Sequence, residues 1–87
     1  EDASQQSPLA RARRFILEAS TARDQSDLHA ARSLLALALR LFRRHAGVQH
    51  ADYACGLVLR AALSADEECH GAAIRDARRA LRILTGL

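Results

Sequence analysis

The side chains of this 87-residue chain that could take part in acid–base, metal-ligand or thiol chemistry near neutral pH are four histidines and two cysteines. No two of them have the His-x-x-x-His or Cys-x-x-Cys spacing that metal sites commonly use. Cys69 and His70 are adjacent in the sequence, so they would point in different directions on a helix. The sequence therefore predicts no metal site. The six residues are His29, His45, His50, His70, Cys55 and Cys69.

His29 gives one hypothesis of catalysis. Residues 29–33, HAARS, are similar to the His-x-x-Lys/Arg-Gly run of four-helix histidine-phosphotransfer domains, although Ser33 stands where those domains have glycine. In that family an exposed imidazole accepts phosphate beside a cation. A surface histidine in the first turn of a helix is the alternative interpretation. Because the sequence contains no glycine-rich phosphate loop and no nucleophile–base arrangement, we expect no enzyme, no catalytic residue and no cofactor.

Arginine supplies all 13 basic side chains other than histidine, against ten acids, which gives a net charge of +3. A basic helical domain that binds nucleic acid, or one that binds an acidic partner, is a second hypothesis. With only three aromatic residues there is little platform for base stacking, which argues against single-stranded nucleic acid. Solvated helix faces are the alternative explanation of the arginines. They cluster as Arg11, Arg13 and Arg14; as Arg40, Arg43 and Arg44; and as Arg75, Arg78, Arg79 and Arg82.

The composition predicts an all-α fold. Hydrophobic residues make up 49% of the chain, most of them alanine and leucine, which favour helices, and there is one proline and only four glycines. Apolar residues recur at i, i+3, i+4 and i+7 over four stretches separated by short polar segments. The predicted helices cover about residues 8–23, 28–45, 51–65 and 67–85.

Three of the predicted helix starts rest on recognisable capping residues. Ser7 precedes Pro8, which suits an N-cap followed by the first helical position. The polar residues 24–27 interrupt the apolar pattern and offer caps for the second helix. Ser64 and Glu67 have the spacing of a capping box, which predicts that the fourth helix begins near Glu67.

The two halves of the chain repeat one another at a distance of 42 residues. Ala19, Ala31 and Ala38 are spaced by 12 and 7 residues, and the second half has the same spacing. Small residues at matched positions of paired helices let the backbones approach closely. We therefore predict that Ala19, Ala31, Ala38, Ala61, Ala73 and Ala80 are structural contact positions.

This pattern resembles the tetratricopeptide repeat, in which a large residue lies four positions before the first small one. Phe15 and Leu57 occupy that position here. Residues 47–54, GVQHADYA, are similar to the Gly-x-x-His-Pro-Asp-x-Ala loop of the kinesin-light-chain subtype, with Ala51 in place of proline. The resemblance implies two antiparallel helical hairpins, residues 8–46 and 51–86, stacked as a fragment of a right-handed solenoid.

The resemblance also implies a function. In such repeats the first helix of each hairpin lines a groove that binds a peptide or a partner helix, so we expect a non-catalytic protein–protein interaction module, a fragment of a larger scaffold or regulator. The alternative is that the apolar groove residues pack against flanking repeats or another copy of the chain. The groove positions are Arg13, Ile16, Leu17, Ser20, Arg23, Cys55, Val58, Leu59 and Ala62.

The second helix is apolar nearly all round, which predicts that it lies inside the stack. The fourth has its apolar residues Ala73, Ala77, Ala80, Leu81 and Leu84 on one face, so it is predicted to be the solvent-facing cap. The two exposed ends of a short stack predict self-association into a homo-oligomer.

The length suits a single helical domain, residues 8–87, preceded by a flexible segment at 1–7. The absence of an initial methionine leads us to expect a fragment of a longer chain. No apolar run approaches the roughly 18 residues of a membrane span. If Cys55 and Cys69 lie near opposite ends of one hairpin they are too far apart for a disulfide, which predicts reduced thiols and a cytoplasmic location.

Overall fold

The computed structural model describes residues 7–87, which form four α-helices and no strand. The predicted all-α class with four helices is confirmed. Of the segment predicted to be flexible, residues 1–6 lie outside the described residues. The helices are α1 (Pro8–Asp24), α2 (Leu28–His45), α3 (Ala51–Asp66) and α4 (His70–Thr85).

The first three helices begin at the predicted residues because a side chain caps each of them. The Ser7 hydroxyl and the Asp27 carboxylate each accept a hydrogen bond at 3.1 Å, from the backbone N–H of Ala10 and Ala30 respectively. His50 Nδ1 accepts one at 3.0 Å from the N–H of Asp52. Each bond satisfies an amide that the first helical turn leaves without a partner.

The predicted start of α4 is wrong by three residues. Ser64 does not cap it, because this residue is buried within α3. The carboxylate of Glu67 instead accepts a hydrogen bond from Arg32 Nε at 2.7 Å. Cys69 occupies the N-cap of α4, and its side chain makes no capping bond.

The turns inside the two hairpins have the same backbone geometry, 42 residues apart. Ser26 and Glu68 have φ values of 63° and 62°, in the left-handed region where glycine is common. The next amide in each turn reaches back over the helix end: Asp27 N–H to Ala22 O at 2.8 Å, and Cys69 N–H to Ser64 O at 2.7 Å. This pattern of a left-handed residue and a 6→1 hydrogen bond is a Schellman motif.

The helices pack in chain order. α1 lies against α2, α2 against α3, and α3 against α4, with a smaller contact between α1 and α3. Within residues 7–87 the backbone of α4 approaches neither α1 nor α2 closely. The molecule is flat, with extents of 41 × 33 × 15 Å, so the four helices do not surround one common core.

The predicted small positions are buried to different degrees. Ala19, Ala31, Ala38 and Ala80 are buried, whereas Ala61 and Ala73 are only half-buried. The remaining core comes mainly from the larger apolar side chains of α2 and α3. These are Leu35, Leu39, Phe42, Tyr53, Leu57 and Leu63, with Ile83 from α4.

The prediction that the apolar residues of α4 share one face is wrong. Ala80 and Ile83 form its buried face, and Leu81, which is 62% exposed, points elsewhere because successive residues are about 100° apart on a helix. Ile74 and Leu84 are also exposed. The outward surface of α4 is therefore apolar along one row instead of wholly polar.

Among the described helices, none combines the length and the apolar character needed to cross a bilayer.

Candidate protein-binding groove

Two ion pairs join α1 to α3. Arg13 Nη2 lies 2.9 Å from Asp52 Oδ2, and Arg23 Nε lies 2.6 Å from Asp66 Oδ2. The residues of each pair are about 40 apart in sequence, and the two arginines are ten residues apart on α1, roughly 15 Å along the helix axis. The pairs therefore hold two helices that otherwise touch only lightly.

The Arg23–Asp66 pair is bidentate. A second hydrogen bond, at 3.2 Å, runs from Arg23 Nη2 to Asp66 Oδ1. These hydrogen bonds, together with the charge of the guanidinium, lower the pKa of Asp66 below its ordinary value and raise that of Arg23. Both groups stay charged over the whole neutral range.

Next to the Arg13–Asp52 pair, α1 and α3 leave a small cavity of about 220 Å³. The cavity is lined by Ile16 and Leu17 of α1, by Cys55 of α3 and by Phe42 of α2. Leu17 is 69% exposed, and Val58, one turn beyond Cys55, is 52% exposed. We use "the groove" for this surface of α1 and α3, formed by Ile16, Leu17, Ser20, Cys55, Val58, Leu59 and Ala62.

The structure places the nine predicted groove residues as follows. Arg13, Ile16, Leu17 and Cys55 meet around the cavity. Ser20, Leu59 and Ala62 are half-buried on the same two helices, and Val58 is exposed on α3. Arg13 and Arg23, the two basic groove positions, are each paired with an acid of α3.

Three residues of this region were not predicted from sequence: Phe42, Asp52 and Asp66. Phe42 belongs to the apolar pattern of α2; it is buried and lines the cavity. Asp52 belongs to the loop motif, and Asp66 repeats Asp24 at 42 residues. Neither the loop motif nor the repetition indicates that Asp52 pairs with Arg13 or that Asp66 pairs with Arg23.

The residues considered for other chemistry lie apart from the groove, except Cys55. His29 is exposed in the first turn of α2, and His50 is the N-cap of α3. Both cysteines are free and exposed. Within residues 7–87 no three His, Cys, Asp or Glu side chains are grouped so that they could hold a metal ion.

Comparison with protein-family models, curated proteins and solved structures finds no match to this chain.

Proposed function

We propose that this chain is a non-catalytic protein–protein interaction module that binds a peptide or partner helix in the groove. The observation that carries the proposal is the pair of exposed apolar residues, Leu17 and Val58, on neighbouring helices. Leu17 lines a cavity next to the Arg13–Asp52 ion pair, and Val58 lies one helical turn beyond Cys55, which also lines it. Apolar side chains presented on rigid, neighbouring helices are typical of surfaces that accept a peptide anchor.

The architecture we propose is two tetratricopeptide-like repeats of the kinesin-light-chain type, stacked with a right-handed twist. The matched Schellman turns at 42 residues support two equivalent hairpins. The packing of α3 against both α1 and α2 supports stacking of the second hairpin on the first. A closed four-helix bundle would instead bring α4 close to α1.

The charges at the groove suggest what the ligand carries besides an apolar anchor. Arg13 remains 57% exposed while paired with Asp52, so part of its guanidinium can still donate hydrogen bonds. A peptide with a large apolar residue and an acidic residue nearby would use both features. We therefore expect short acidic-apolar sequences to be selected over basic ones.

The test is selection from a displayed random-peptide library, followed by affinity measurements on the selected peptides. Leu17→Glu and Val58→Glu should each weaken binding by roughly tenfold or more, because either change places a charge where an apolar anchor is buried. Leu37→Glu is the matched control, because Leu37 is an exposed leucine of α2 outside the groove. Circular dichroism confirms that all three variants remain helical.

Two results would contradict the proposal. One is a library selection that enriches no peptide. The other is a set of peptides whose affinity falls as much with Leu37→Glu as with the groove variants, since binding would then be nonspecific.

A further inference from the structure

A second depression lies on the other side of α3 from the groove, between α2 and α4. It has a volume of about 660 Å³ and is bordered by six arginines and one carboxylate, that of Asp76. We call it the basic cleft. Its arginines are Arg32 of α2, Arg60 of α3, and Arg75, Arg78, Arg79 and Arg82 of α4.

Three of the six guanidinium groups already have partners. Arg60 makes two hydrogen bonds to Asp76, at 2.8 and 3.0 Å, and these raise the pKa of Arg60 above its ordinary value. Arg32 pairs with Glu67, and Arg79 lies 5.7 Å above the ring centre of Tyr53. The acids next to the cleft are therefore already engaged.

The other three arginines of the cleft, Arg75, Arg78 and Arg82, make no side-chain hydrogen bond or ion pair within the part of the chain that the structure describes. They follow one another at i, i+3 and i+7, so they share a face of α4 and span roughly 10 Å at 1.5 Å per residue. Three uncompensated positive charges on one helix face repel each other. An anion bound between them removes that repulsion.

The rest of the lining restricts the kind of anion. Besides the arginines and Asp76, the cleft is lined only by Ser64, Cys69 and Ala72. A peptide would find no apolar pocket for its side chains, and a nucleobase would find no aromatic ring to stack on. Affinity must come from charge density and from the paired N–H donors of guanidinium groups, which match phosphate oxygens well.

We propose that the basic cleft binds phosphate, and specifically a ligand with two or more adjacent phosphate groups. Arg75, Arg78 and Arg82 supply the free guanidinium groups. Arg32 and Arg60, held by their own acids, contribute to the positive potential at the inner wall. This site is independent of the groove and makes no use of its residues.

The test is titration of the full chain with inorganic tripolyphosphate at low salt, measured by calorimetry and by NMR of the arginine Nε–Hε groups. Arg78→Gln/Arg82→Gln should weaken binding by at least about tenfold, because both changes remove charge-assisted hydrogen bonds. Arg11→Gln/Arg14→Gln removes the same two charges from exposed positions on α1. That control should change the affinity by less than about twofold, which separates a built site from overall charge.

Parallel titrations identify the source of the phosphate. Binding of a thymidine oligonucleotide that depends on Arg78 and Arg82 supports the proposal and points to a nucleic-acid backbone. Preference for tripolyphosphate over the oligonucleotide supports it and points to a small ligand. Equal weakening by the two double variants would overturn the proposal. Hexaglutamate binding as tightly as tripolyphosphate would also overturn it, because the site would then select acidic protein segments.

Discussion

Arg23 and Asp66 form the shorter of the two ion pairs described between α1 and α3, and this pair changes how Asp66 titrates. Because Arg23 lowers the pKa of Asp66, the pair stabilises the folded state at pH values above 3.8, the ordinary pKa of an aspartate. That contribution is lost as the pH falls through the lowered folded-state pKa. Arg23→Gln should move the pKa of Asp66 back up toward 3.8, as measured by a carboxyl-carbon NMR titration.

The control for this titration is Arg14→Gln, which removes an exposed arginine from the same helix. A shift of the Asp66 pKa as large as that in Arg23→Gln would mean that general charge, and not the bidentate contact, lowers it.

Ala19 and Ala61 occupy equivalent positions but differ in burial, so the same substitution should have different effects. Ala19→Leu inserts three carbons into a closely packed contact and should lower the free energy of unfolding by about 1–3 kcal/mol. Ala61→Leu, at a half-buried site, should cost less than half of that. Chemical denaturation of both variants measures the difference, and equal losses would show that the two sites are packed alike.

At this scale the sequence predicted which alanines lie at contact positions, and four of the six are buried. Spacing identifies the face of a helix that a residue occupies. It does not fix how closely the neighbouring helix approaches, which depends on side chains elsewhere. The half-burial of Ala61 and Ala73 was therefore beyond the pattern.

Among the elements, α2 and α4 begin with nearly identical backbone angles but different caps. Asp27 has φ −94° and ψ 77° and accepts a hydrogen bond, whereas Cys69 has φ −93° and ψ 71° and accepts none. Cys69→Asp should therefore stabilise the protein by about 1 kcal/mol. Asp27→Ala should destabilise it by a similar amount, and thermal or urea unfolding measures both.

Cys55→Asp is a useful comparison, because Cys55 is exposed within α3 and offers no free amide to cap. If it stabilised the fold as much as Cys69→Asp, capping would not be the cause.

α2 and α3 approach each other closely at Gly56. A Cβ atom there would lie 2.5 Å from Leu39 Cδ2, and Leu39 is itself buried. Gly56→Ala should gain about 0.5–1 kcal/mol of helix stability but lose about 1–3 kcal/mol through overpacking, so we expect net destabilisation. In a Leu39→Ala background the clash is absent, and Gly56→Ala should become stabilising. Urea denaturation of the four proteins of this cycle gives the sign in each background.

Helix starts were predictable where a cap and the apolar pattern agreed, as at Pro8 and Leu28. The start of α4 was not, because Ser64 and Glu67 have the spacing of a capping box but are engaged by Arg32 from another helix. These contacts with Arg32 join residues more than 30 apart in the sequence, which a local capping pattern does not reveal. Gly56 was missed because the repeat pattern directs attention to alanines.

Considered as a whole, the molecule has a row of exposed apolar side chains on α4 that the outer face of α1 lacks. Leu35, Leu39 and Phe42 of α2 are buried, and their equivalents at 42 residues, Ala77, Leu81 and Leu84, are exposed on α4. The outer face of α1 instead carries exposed Arg14 and Glu18. Any self-association should therefore join α4 to α4 and not α1 to α4.

This geometry predicts an unusual salt dependence. Two α4 helices related by a two-fold axis would bury leucines but bring their arginines together, so added salt should strengthen the dimer by screening that repulsion. Leu81→Ser should weaken association by tenfold or more, because each copy loses buried apolar area. Sedimentation equilibrium measures the effect, with Leu37→Ser as the control, and dissociation by salt would contradict the expectation.

The pairing of helices into hairpins could be predicted from short polar turns and a common spacing. The ion pairs at the two ends of the groove could not be predicted. Each joins residues about 40 apart, and any of 13 arginines could have been the partner. The basic cleft has the same limitation: its charges were visible in the sequence, but which of them were already neutralised was not.

Among the helices that the structure describes, the backbone of α4 approaches only that of α3, so α4 is the helix we expect to detach while the other three keep their mutual contacts. Such a local opening would affect the two proposed binding surfaces differently. The cleft takes four of its arginines from α4 and would be lost, while the groove is built on α1 and α3 and would persist. A ligand that bridges α4 to Arg32 and Arg60 would then hold α4 against the rest of the molecule. Its binding should slow amide exchange in α4 without any contact with the groove.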